Sequence, residues 1–201
     1  MLGGMYPRAL ATTALSYVVL HHLGLLPGGL GDGPRGTRWA DWLDLLVPWL
    51  VLAPAAWTLA VARVGPRTWA LFGVGVVAYA SGHGIHLAAN SVGNAAPGPT
   101  AHLWDEVVGH YVWFAGVALV AAALATTMTV RPRPHPVGYA LALGVGLTWA
   151  SNAVGGGTVA FSLLLAVVAA VVGWRRRGSL GEVLLVAGSS AVVVLVVGLL
   201  V

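Results

Sequence analysis

The sequence predicts an all-α, polytopic membrane protein: a bundle of seven transmembrane helices, N-terminus cytoplasmic and C-terminus extracytoplasmic. Three observations predict it. Of 201 residues, 58% are hydrophobic and 8% charged, against about 25% charged in an ordinary soluble domain. That excludes a water-soluble globule and a disordered chain, because neither could be built with so little polar surface. Seven apolar stretches approach the roughly 20 residues a helix needs to cross a bilayer. Finally, every basic residue is an arginine, and the arginines gather on one side of the bundle that those stretches define.

The stretches run at about 6–26, 42–64, 68–90, 103–128, 137–154, 157–174 and 182–201, and the chain 1–201 reads as one integral membrane domain. The first carries Arg8 before its apolar run and ends at His21 and His22 ahead of Pro27. With no Ala-x-Ala exit, it reads as a retained helix and not a cleaved signal peptide. The second begins around Asp41 and Asp44, in the first turn of a helix, where the macrodipole favours anions. The third ends in Ser81-Gly82-His83-Gly84-Ile85-His86 and Asn90, and the fourth opens with His102. Only Gly155-Gly156-Gly157 separates the fifth from the sixth. It reads as a tight turn, since no lysine or P-loop spacing follows. The seventh follows the basic run Arg175-Arg176-Arg177.

Arginine sets the orientation. Arg8, Arg63, Arg67, Arg131, Arg133, Arg175, Arg176 and Arg177 fall on the side of the N-terminus, and only Arg35 and Arg38 on the other. The positive-inside rule places the first group in the cytoplasm, of a cell with this chain in its inner (plasma) membrane. Merging the fifth and sixth spans would carry Arg175–Arg177 outside, so the same rule supports seven. The net charge of +4 is explained by these span-end arginines, and no nucleic-acid partner is expected. The absence of cysteine excludes disulfides, thiolate metal sites and cysteine nucleophiles.

The remaining ionisable residues show the opposite asymmetry. His21, His22, His83, His86, His102 and His110 all lie toward the outer face, with Asp32, Asp41, Asp44, Asp105 and Glu106; only His135 and Glu182 lie on the arginine side. His83, His86 and Asn90 share a helix face at i, i+3 and i+7, and His102, Glu106 and His110 form a second stripe at i, i+4 and i+8. Asp105 flanks that stripe. The loop between the two spans is short, so the two stripes meet at matching depth.

Intramembrane ionisable groups are costly, and they are functional by default. Imidazole and carboxylate together are ligands for zinc, iron or manganese. The expected ligands are His83, His86 and His110, with Glu106 as a further ligand or the general base on metal-bound water. Asp105 is expected to orient a histidine from behind. His21, His22, Asn90, Asp44 and Asn152 are candidate additions to the same pocket. The bland readings compete residue by residue. His102 suits a helix start in the headgroup zone, Asp41 and Asp44 suit a helix N-terminus, and Asn152 with Thr148 suits interhelical bonding.

The reading is a metal-dependent enzyme, hydrolase-like, acting on a lipid or other amphiphile that enters between helices. A di-iron oxidoreductase is its nearest variant. The rivals are a haem b protein with axial histidines from facing spans, a metal- or ion-handling transporter, and a structural membrane subunit. The inner halves of the spans offer little beyond Thr126, Thr127 and Ser162, which counts against a conduit. In its seven spans, and in the histidines and acids near one interface, the chain resembles membrane metal-dependent hydrolases of the ceramidase and adiponectin-receptor kind. Those proteins carry a His-x-x-x-His pair late in the chain. Here the last two spans hold no histidine, and the pairs His83/His86 and Glu106/His110 come from the middle.

Overall fold

A computed structural model describes residues 4–23, 26–128, 134–176 and 178–200. Arg131, Arg133 and Arg177 lie outside the described residues. The protein is an all-α membrane bundle, with no strand among the described residues.

Among the described residues, seven helical rods form it. The first is α1 (Met5–Leu20); the second is α2 (Trp39–Asp44) continued by α3 (Val47–Ala62); the third is α4 (Pro66–Ala95). The fourth joins α5 (Pro99–His102), a π-helix over Leu103–Gly109, and α6 (His110–Thr126). The last three are α7 (Pro136–Gly155), α8 (Val159–Arg175) and α9 (Ser179–Leu200). Five rods are long and apolar enough to cross a membrane: Trp39–Ala62, Pro66–Ala95, Pro99–Thr126, Pro136–Gly155 and Ser179–Leu200. The apolar helix α8 has 17 residues and α1 has 16. Leu164, Trp174, Val193 and Leu200 are among many large apolar side chains left on the outside, as lipid-facing surfaces require.

Several boundaries differ from those the apolar pattern suggested. The first helix stops at Leu20, where the backbone N–H and the ring of His21 both turn back to the carbonyl of Tyr17. His21 and His22 therefore sit in the turn beyond α1, not inside a span reaching residue 26. In the second rod, Pro48 restarts the helix within the first turn of α3. The carboxylate of Asp41 caps α2 by accepting from the backbone N–H of Arg38 at 2.9 Å and from its guanidinium at 2.7 Å. This is the helix-start role that competed for Asp41.

The packing of α4 against α6 positions the site. Gly82 lies against the backbone of Trp113, Gly116 against that of Tyr79, and Gly109 against that of His86. These pairings run in opposite directions along the chain, so the two helices are antiparallel. Their backbones approach more closely than any Cβ would permit, as small residues allow in membrane helix pairs. The core beneath the site is Tyr79, Trp113, Phe114, Leu59 and Val47. A threonine pair ties α1 to α3, Thr13 Oγ1 to Thr58 Oγ1 at 3.1 Å. At the arginine-bearing end, the Tyr139 hydroxyl donates to the carboxylate of Glu182.

Candidate metal centre

The centre depends on a change of helix type. In an α-helix, residues five apart point about 140° away from one another, and on that geometry Asp105 only flanks the stripe of His110. Over Leu103–Gly109 the chain is instead a π-helix, in which residues five apart are hydrogen-bonded neighbours. Asp105 comes round to the face of His110. Gly109, with no Cβ, lets this widened turn rest on the backbone of His86.

Three groups converge as a result. His86, Asp105 and His110 offer ligand atoms that all lie within 4.8 Å of one another. His86 Nδ1 is 2.5 Å from Asp105 Oδ1, and the two side chains are 18% and 14% exposed. The imidazoles of His86 and His110 touch, with ring centroids 4.3 Å apart. His110 is buried, and its Nδ1 has no hydrogen-bond partner among the described residues. The nearest charged oxygen is Glu106 Oε2 at 3.5 Å.

The other expected residues are placed differently. His83 is buried but faces Asp44, its Nε2 3.5 Å from the carboxylate Oδ1. It pairs α4 with α2 and is not one of the three converging groups. Glu106 borders that group through His110. The carboxylate that joins the two histidines is Asp105, because the π turn rotates it inward. His21 has both ring nitrogens engaged: Nδ1–H donates to the Tyr17 carbonyl at 3.0 Å, and Nε2 accepts from the Tyr79 hydroxyl at 2.6 Å. A carbonyl only accepts, so this tautomer is fixed and leaves no lone pair for a metal. His22 Nε2 contacts Thr148 Oγ1 at 3.2 Å. Asn152 donates to the Thr148 carbonyl at 2.9 Å, and Asn90 accepts from Asn94 at 3.1 Å.

Trp113 belongs to the site although no motif in the sequence singled it out. Its indole stacks on His21, His86 and His110, at centroid distances of 5.6, 5.6 and 5.8 Å, and meets His83 edge-on at 4.8 Å. One ring thus fixes four imidazoles. The available signal was its i, i+3 spacing from His110 on one helix face.

No protein-family model matches this chain, and comparison with curated proteins and with solved structures finds no match. A functional reading therefore rests on the geometry.

Proposed function

We propose that this membrane protein is a metal-dependent enzyme whose ion is held by His86, His110 and Asp105, with Glu106 as the adjacent base. The observation that carries the reading is the convergence of two imidazoles and a carboxylate within 4.8 Å. The buried Nδ1 of His110, which has no hydrogen bond among the described residues and only Glu106 Oε2 at 3.5 Å, adds to it, since such a group is costly unless something binds it. A tetrahedral ion with bonds of about 2.0–2.1 Å needs donors about 3.3 Å apart. The present separations, 2.5 Å between His86 and Asp105 and at most 4.8 Å within the group, bracket that value.

Two histidines and one carboxylate suit zinc in hydrolytic sites and ferrous iron in oxygenases. Zinc supplies a water ionisable near pH 7. The carboxylate of Glu106 is 37% exposed, so it can take a proton near the centre and release it outward. Hydrolysis is the reading that asks for the fewest additional parts. The substrate class is an amphiphile. A mainly apolar recess between the α2 rod and α4, lined by Asp41, Trp42, Leu45, Gly84, Leu87 and Ser91, runs along the helix that carries His86.

The same reading places the centre in the outer leaflet of the inner (plasma) membrane, with the N-terminus cytoplasmic and seven spans. Alkaline phosphatase fused after residue 201 is then active, and fused after residue 67 it is inactive; the reverse pattern overturns the orientation. A haem fits these residues less well. Axial imidazoles must bracket a porphyrin, whereas His86 and His110 touch at a centroid distance of 4.3 Å.

The test is elemental analysis and an absorption spectrum of the protein purified in detergent. Stoichiometric zinc or iron, lost in His86→Ala and in His110→Ala, supports the proposal. A Soret band transfers it to haem. A folded protein that takes up neither metal on reconstitution overturns it.

A further inference from the structure

The three glycines at the junction of α7 and α8 do different work. Gly157 has φ +64° and so makes the turn in the left-handed region. A Cβ on Gly155 would meet nothing within 4 Å. Gly156 has φ −99° and ψ 16°, a conformation open to any residue, so its backbone does not require glycine. Its surroundings do. A Cβ there would lie 2.6 Å from both Cδ2 and Nε2 of His110.

The obstructing atoms are not the mobile end of a flexible side chain. The His110 ring is wedged between Trp113 and His86, at centroid distances of 5.8 and 4.3 Å. It is 5% exposed overall. The ring is packed against both neighbours, so a methyl group at residue 156 must turn the imidazole or lift the α7–α8 turn. Either movement changes where the ring nitrogens point.

We propose that Gly156 is a positioning residue for the metal centre: its bare Cα seats the His110 imidazole in the orientation that meets His86 and Asp105. This rests on the reading of those three residues as a metal site, and the experiment separates the two. Outer contacts that orient ligating histidines typically change metal affinity by about 10–100-fold when disturbed. Zinc affinity is measured by competition with a chromophoric chelator for the wild type, Gly156→Ala and Gly155→Ala in detergent. The expected result is a dissociation constant raised at least about tenfold in Gly156→Ala and within about twofold of wild type in Gly155→Ala. Equal affinities in all three overturn the positioning role and leave the metal site standing. A folded wild type that binds neither zinc nor iron removes the metal site itself.

A stability cycle on the metal-free protein covers the case in which Gly156→Ala folds poorly. Removing the ring in His110→Ala removes the clash, so Gly156→Ala destabilises the wild type but not the His110→Ala background. The inference then predicts recovery of folded Gly156→Ala/His110→Ala even where Gly156→Ala alone is lost. An equal loss of stability in both backgrounds overturns it.

Discussion

Nδ1 of His86 lies 2.5 Å from Oδ1 of Asp105, across the gap between α4 and the π-helical turn. Two roles produce this contact. A carboxylate behind a ligating imidazole holds its N–H and sets its direction; a carboxylate that is itself a ligand rests there until an ion draws it away. The proposed donor set assigns Asp105 the second role. Asp105→Asn keeps the shape and a hydrogen-bonding oxygen but loses the charge. It is expected to weaken zinc binding by more than the roughly 100-fold that an orienting partner is worth. Chelator competition measures this, and a smaller loss returns Asp105 to the orienting role.

His83 and His86 are one turn apart on α4, yet they face different partners. His83 meets Asp44 of α2, whereas His86 meets Asp105 and His110. Metal content should divide accordingly: His83→Ala retains stoichiometric metal and His110→Ala loses it. Acid should release the metal from the wild type. Imidazole ligates only when neutral, so protons compete for two of the three donors, and affinity present at high pH falls as pH is lowered. Metal retained in His110→Ala but lost in His83→Ala assigns the centre to the other histidine pair.

The parts of the site legible in the sequence were those that ordinary α-helical spacing governs. Apolar run lengths give the seven rods, but not all of their ends: α1 stops at Leu20, well short of residue 26, and α4 runs on to Ala95. That His21, His83, His86 and His110 gather at one level follows from counting spans, and all four rings lie against Trp113. Asp105 could not be read in this way, because its direction depends on a π turn that no hydrophobic period announces. His21 looked like a ligand by residue type alone; only the Tyr79 hydroxyl, 58 residues away, accounts for its second nitrogen. Gly156 looked like turn chemistry because glycine in a loop has two causes, backbone conformation and close approach, and a sequence does not separate them.

That hydroxyl leads to a third prediction. Tyr79→Phe leaves Nε2 of the buried His21 without its donor, and a buried polar group so orphaned costs about 1–3 kcal/mol. Thermal unfolding in detergent should show the loss. Metal content should not change, because both nitrogens of His21 are already engaged. A metal-free Tyr79→Phe protein that remains folded would place His21 within the centre after all.

Finally, the glycines of α4 should separate by what lies opposite them. Gly82 lies against the backbone of Trp113, whereas a Cβ on Gly84, two residues on, meets nothing within 4 Å. Gly82→Ala must push α6 away from α4. Overpacking of that kind costs about 1–3 kcal/mol, and here the obstruction is main chain, which cannot change rotamer. The displaced segment carries Trp113 and, three residues before it, His110, so the same substitution should also lower metal affinity. Gly84→Ala makes no such contact and exchanges a poor helix former for the best one, a gain of up to about 1 kcal/mol. Unfolding midpoints of the two variants should therefore move in opposite directions from the wild type. A Gly82→Ala protein as stable as Gly84→Ala would mean that α4 and α6 do not approach as closely as the centre requires.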